Sequence, residues 1–156
     1  MLLTFKDNAA MKGKYRIRSF EAGTDKLIYD SGWIENQIVS SDTYGRNLIM
    51  RQLAGDTTYP IEIDSFSMGT GNTAVTDADN DLDTPTSEGH VISTADVTND
   101  ELLLGIFMPD ANLPNATYQE CGLKCNGRLF TRSLITPTFS KSAGQDVTIQ
   151  YLITLN

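Results

Sequence analysis

The feature that most constrains this chain is its closing stretch, Asp146 to Leu155. Val147, Ile149, Tyr151, Ile153 and Leu155 alternate there with Thr148, Gln150 and Thr154. Side chains on a strand alternate between two faces, so this is a β-strand with one face in a core. Lys14–Phe20 repeats the pattern, with Tyr15 and Ile17 set against Lys14, Arg16 and Arg18. Asn126-Gly127, between Thr117–Cys125 and Arg128–Ile135, is the strongest two-residue hairpin signal in the chain. That turn pairs Cys125 with Arg128, Leu123 with Phe130 and Cys121 with Arg132.

Further strands are expected at Lys26–Asp30 and Trp33–Val39, which make a meander with Lys14–Phe20, and at Tyr59–Met68 with a bulge near Ser65. His90–Thr98 and Glu101–Met108 read as a hairpin across Thr98-Asn99-Asp100. Leu102 to Phe107 is apolar on both faces, the pattern of a strand covered on both sides. Pro137 is expected to break the strand before it, and Ser142–Gln145 to turn into the last one. The one helix is expected over Ser41–Gly55, capped by Ser41 or Asp42, with Tyr44, Leu48, Ile49, Gln52 and Leu53 on one face and Gly55 just past its end. Thr73–Gly89 is acidic and patternless, a surface loop long enough to need pinning or a function. These elements predict a mostly β protein, an antiparallel β-sandwich or barrel-like fold with one short α-helix. A chain of 156 residues fits a single β-rich domain over 1–156, with residues 1–12 read as an N-terminal arm.

Charge narrows the partners. The net charge is −8, and twelve basic residues scattered along the chain supply no phosphate-binding face, so no nucleic acid is expected. Anionic membrane surfaces are disfavoured for the same reason, and no apolar run approaches the roughly 20 residues of a spanning helix. The first residues lack a secretory signal layout, which places synthesis in the cytoplasm of the producing cell.

No catalytic centre is legible, and the chain is not expected to be an enzyme. His90 is the only histidine, and no serine sits in a Gly-x-Ser-x-Gly elbow. Gly69-Thr70-Gly71 lacks the lysine and the helix start of a phosphate loop and reads as a turn. Cys121 and Cys125 lie about 13 Å apart on a straight strand at ~3.3 Å per residue, beyond the roughly 7 Å of a disulfide, so both are expected as free thiols. No cofactor is implied. The sharpest metal signal is Asp77, Asp79, Asp81 and Glu88, spaced like the outer ligands of a calcium loop. Leu82 stands where that loop requires glycine, so a solvated acidic loop is the preferred reading and a calcium site of other geometry the alternative.

Two stretches carry a resemblance. Ile63 to Thr76 (IDSFSMGTGNTAVT), running into an acidic stretch with Leu82 and Glu88, resembles a segment of many small tailed-bacteriophage virion proteins. Glu120-Cys121-Gly122-Leu123, Asn126 to Arg132, Thr138 to Lys141 and the Val147–Leu155 strand are similar to phage tail-collar and tail-fibre attachment domains. Gly32-Trp33-Ile34-Glu35-Asn36 before a helix also resembles phage proteins. Cys121, Cys125, Lys124 and the heavier acidic loop depart from the pattern. The resemblance implies a structural component of a virion, in tail or fibre attachment or in capsid decoration. It also implies other virion proteins and further copies of the chain as partners, in a trimer or ring. The competing expectation is a carbohydrate- or receptor-binding β-sandwich module assisted by calcium at Asp79 and Asp81.

Overall fold

The two most strongly alternating stretches are neighbours. The structure is a computed structural model describing residues 10–155. In it β1 (Met11–Glu21) lies antiparallel to β12 (Gln145–Leu155), with Tyr15 opposite Tyr151 and Ile17 opposite Ile149. Shared parity puts all four side chains on one buried face. The other strands are β2 (Leu27–Ile38), β3 (Ser40–Ser41), β4 (Tyr44–Gly45), β5 (Ser65–Gly69), β6 (Pro85–Val91), β7 (Thr94–Thr98), β8 (Glu101–Met108), β9 (Ala116–Cys125), β10 (Arg128–Leu129) and β11 (Thr131–Lys141). One antiparallel sheet runs in the order β6-β5-β9-β11-β2-β1-β12-β8-β7, with β10 beside β9, and β3 and β4 form a separate ribbon. The protein is mostly β and barrel-like, with one short helix.

The sheet is its own second layer. A sheet with one apolar face must bury it, and here the face closes on itself into a half-barrel. Flat, the edges β6 and β7 would be eight strand spacings apart, about 38 Å at ~4.8 Å each. Yet only Ile92 and Ser93 separate β6 from β7, a link of at most about 10 Å. The two edges therefore meet at that corner. Hydrogen bonds cross the interior too: Tyr15 donates to Ser133 Oγ at 3.1 Å and Tyr151 to Thr131 Oγ1 at 2.8 Å, both buried. Tyr15 and Tyr151 stack with ring centroids 5.5 Å apart.

Several expectations need correction. The strands at Lys26–Asp30 and Trp33–Val39 are one strand, β2, bent at Ser31-Gly32 where its register against β1 shifts. The helix, α1, spans only Arg46–Leu53. Gly45 rather than Ser41 or Asp42 caps it, at φ +59°, because a side chain there would run into the Val39 carbonyl. Ser40–Gly45 forms the β3–β4 ribbon instead, and of the expected apolar face only Leu48 is fully buried while Leu53 is exposed. Gly55 does lie in the left-handed region just past the helix end. Tyr59 to Asp64 is not strand; β5 begins at Ser65. His90 belongs to β6, so the hairpin partner of β8 is only Thr94–Thr98. Leu103 and Phe107 on β8 are exposed, so that strand is covered on one face, not two. β11 continues through Pro137 with a shift of register between Leu134 and Phe139. Met11 and Lys12, assigned to an arm, are the first pairs of β1; Ala10 precedes the strand, and residues 1–9 of that assignment lie outside the described residues.

Candidate functional site

One correction builds the most unusual site in the molecule. The Asn126-Gly127 turn has the expected φ values, +51° and +84°, and Cys125 faces Arg128 as expected. Beyond Leu129 an extra residue enters, so Cys121 faces Ser133 instead of Arg132. A one-residue slip moves every following side chain to the other face. Arg132 thus leaves the interior and lies on the outer face of the sheet, beside Glu120 of β9.

That outer face is covered by the loop 70–84, which makes the pair fully buried. The Glu120 side chain is 0% exposed and that of Arg132 2%. Arg132 Nε donates to Glu120 Oε2 at 3.0 Å. Its Nη1 reaches Asp79 Oδ2 at 2.9 Å, and its Nη2 the Thr73 carbonyl at 3.0 Å. Glu120 accepts backbone N–H groups from both ends of the loop: Gly71 at 3.2 Å, Asp83 at 2.9 Å and Thr84 at 2.7 Å. Charged hydrogen bonds of this density repay the desolvation that an isolated buried ion would suffer. The Gly69-Thr70-Gly71 turn owes its glycines to this approach. A side chain at Gly69 would meet the Thr84 carbonyl and Glu120, and one at Gly71 would meet Asp83. Leu82 completes the cover, buried against Val39 and Leu129.

The acidic residues expected as calcium ligands are engaged by three different side chains. Asp77 accepts from Gln37 at 2.6 Å, Asp79 pairs with Arg132, and Asp81 and Glu88 both pair with Lys124 Nζ, at 2.9 and 2.7 Å. Burial opposes ionisation of Asp79, but the Thr76 N–H and Arg132 outweigh it and hold its carboxyl below the usual range. Among the described residues no three His, Cys, Asp or Glu side chains gather where a metal could sit.

The one histidine does have a partner that the sequence reading missed. His90 Nε2 lies 2.7 Å from Ser87 Oγ, three residues back on β6, and burial pushes the imidazole pKa down. No hydrogen bond to the other ring nitrogen is found among the described residues, and Ser87 is itself buried. Neither residue lines the main clefts. A serine nucleophile needs an oriented base and room for substrate, and no second partner orients His90 among the described residues. Cys121 and Cys125 are free and buried on the inner face of β9, and burial pushes both thiols up to about 12. They fill core space as protonated thiols.

Lys141 is a second buried charge. Its Nζ bonds Asp110 Oδ1 at 2.6 Å and Asn115 Oδ1 at 3.0 Å. Lys141, with help from the Gly144 N–H, lowers the Asp110 pKa. Unfolded aspartates titrate near pH ~3.9. Groups whose native pKa is lower contribute stability above that value and lose it as pH falls through the native one. His90, depressed from ~6.5, acts in the same direction at higher pH. The urea midpoint is therefore expected to drop steeply between about pH 5 and pH 3, and Asp79→Asn to flatten that drop. A midpoint independent of pH over this range would contradict the assignment.

The arrangement defines a class by its fold: a mostly β half-barrel in which a buried Glu120–Arg132 pair holds the backbone of a covering loop. Comparison of the chain with family models, with curated proteins and with solved structures finds no match.

Proposed function

We propose that this chain is a structural component of a bacteriophage virion, in tail or fibre attachment or in capsid decoration, working through protein–protein contacts and not turnover. The observation that carries the contact reading is the clamp of Glu120 and Arg132 on the loop 70–84. It ties both ends of a long polar loop to the sheet, and ordering a loop in advance lowers the entropy cost of docking. The virion assignment draws on the resemblance carried by Ile63–Thr76 and Glu120–Arg132. Other virion proteins and further copies of the chain, as a trimer or ring, are its proposed partners, and the virion its destination after synthesis in the host cytoplasm. The carbohydrate-binding alternative loses its main support because Asp79 and Asp81 are occupied by Arg132 and Lys124.

The test is sedimentation. A tagged copy expressed during infection is expected to band with purified particles at a fixed stoichiometry and to appear at one position in negative-stain images. A copy that stays at the top of the gradient while infectious particles form without it would end the virion reading.

A further inference from the structure

Among the described residues the two edge strands of the half-barrel have no outer partner, and a cleft lies beside one of them. β6 pairs only with β5 and β7 only with β8 among the described residues, so both outer edges are free. The edges meet at Ile92-Ser93 and part on leaving it. On one side β6 has ended, and the segment 59–64 that precedes β5 makes a single backbone–backbone hydrogen bond among the described residues, Asp64 N–H to the Lys124 carbonyl. On the other side all five residues of β7 are exposed. Between the two lies an apolar cleft of about 250 Å³, walled by Ile61 and Ile63 on one side and by Val97, Leu102, Ile153 and Leu155 on the other. Val97 is 76% exposed, Leu155 48% and Ile61 39%.

Exposed apolar side chains beside an unpaired strand edge are the elements of strand addition, in which backbone pairing provides affinity and alternate side chains fill pockets. The charges select the strand. Asp100 and Glu101 line the cleft, Asp96 lies on β7, Glu62 and Asp64 flank Ile63, and no Lys or Arg among the described residues lines it. A second copy pairing through its own β7 would set these carboxylates against themselves, which disfavours edge-to-edge self-association.

We infer that the slot between the segment 59–64 and β7 receives one extended strand of a partner protein, with apolar side chains at alternate positions and Lys or Arg between them. The inference rests on the reading of this chain as a protein-binding scaffold. The incoming strand pairs with the free edge of Thr94–Thr98, directs its apolar residues at Val97 and Ile61, and leaves its cations among Asp96, Asp100 and Glu101. About five residues would be ordered, the length of β7.

The probe is a labelled nine-residue peptide of alternating valine and lysine, titrated into the full chain and followed by fluorescence anisotropy. Its control has the same composition with valines and lysines in separate blocks. The alternating peptide is expected to bind at least about tenfold tighter than the blocked one, to weaken with salt, and to slow amide exchange at residues 94–98. Val97→Asp and Ile61→Asp, both at exposed positions, should each weaken it about tenfold or more, whereas Leu53→Asp, exposed on α1, should leave it unchanged. Equal binding of the blocked peptide, indifference to Val97→Asp, or binding only after removal of residues 1–9 would overturn the inference; the last would make the chain's own N-terminus the competitor. Particle sedimentation separates this from the function itself. If the chain bands with particles and Val97→Asp changes neither that nor peptide binding, the slot fails and the assembly role stands.

Discussion

Replacing Glu120 by alanine is expected to lower the unfolding free energy by about 3–5 kcal/mol, the usual result of stranding one member of a buried ion pair. The total stability of such a domain is about 5–15 kcal/mol, so the variant approaches the edge of folding. Two losses combine. Arg132, 2% exposed, keeps Asp79 but loses its buried counter-charge, and the N–H groups of Gly71, Asp83 and Thr84 lose their acceptor. Because those donors hold both ends of the loop 70–84, the loop should also become a protease target under conditions where the rest of the protein resists. Urea melts report the first effect and limited proteolysis the second. Replacing both Glu120 and Arg132 should cost less than the sum of the single changes, because the removed groups share one network. Additive costs, or a loop that stays protected in Glu120→Ala, would show that the loop is held by something other than this clamp.

Tyr151→Ala is the second large effect, again about 3–5 kcal/mol, the usual range for an aromatic deleted from a core. The side chain is fully buried, stacks on Tyr15 and reaches across the interior from β12 to Thr131 of β11, three strands away in the sheet order. Tyr151→Phe separates the two contributions. Thr131 Oγ1 still accepts the Leu123 N–H at 3.0 Å, so removal of the phenolic O–H leaves it with a partner. The cost should therefore be near the low end for a lost hydrogen bond, about 1 kcal/mol. Matched urea titrations of the two variants give the comparison. If Tyr151→Phe costs as much as Tyr151→Ala, the cross-interior hydrogen bond and not aromatic packing holds the curl.

The difference between β9 and β12 explains what could be read in advance. β12 has one buried face along most of its length, so Val147 to Ile153 declares its fold by alternation alone. β9 is buried on both faces from Glu120 to Leu123, where the period disappears. Glu120 therefore resembled any other acidic residue in the chain. Its role depends on Arg132, and Arg132 reaches it only because an extra residue enters after Leu129. Local turn chemistry at Asn126-Gly127 fixes the first pairs of the hairpin but contains no information on a bulge further along. The same limit applies to the acidic stretch. Asp77, Asp79, Asp81 and Glu88 have the spacing of a shared cation site, but Gln37 takes the first, Arg132 the second and Lys124 the last two, and all three arrive from other strands.

By itself, then, the order of residues settled what is local or periodic: strands with one wet face, the left-handed turn at Asn126-Gly127, the left-handed residue after the helix, and two cysteines on one strand that cannot bridge. Tertiary structure alone decided the closure of the sheet on itself, the short helix beginning at Gly45, the burial of Glu120 with Arg132 under the loop, and the open slot beside β7. The division has one physical cause. Alternation and turn preference act over a few neighbours, whereas curvature, register past a bulge and the pairing of buried charges depend on contacts between residues far apart in the chain.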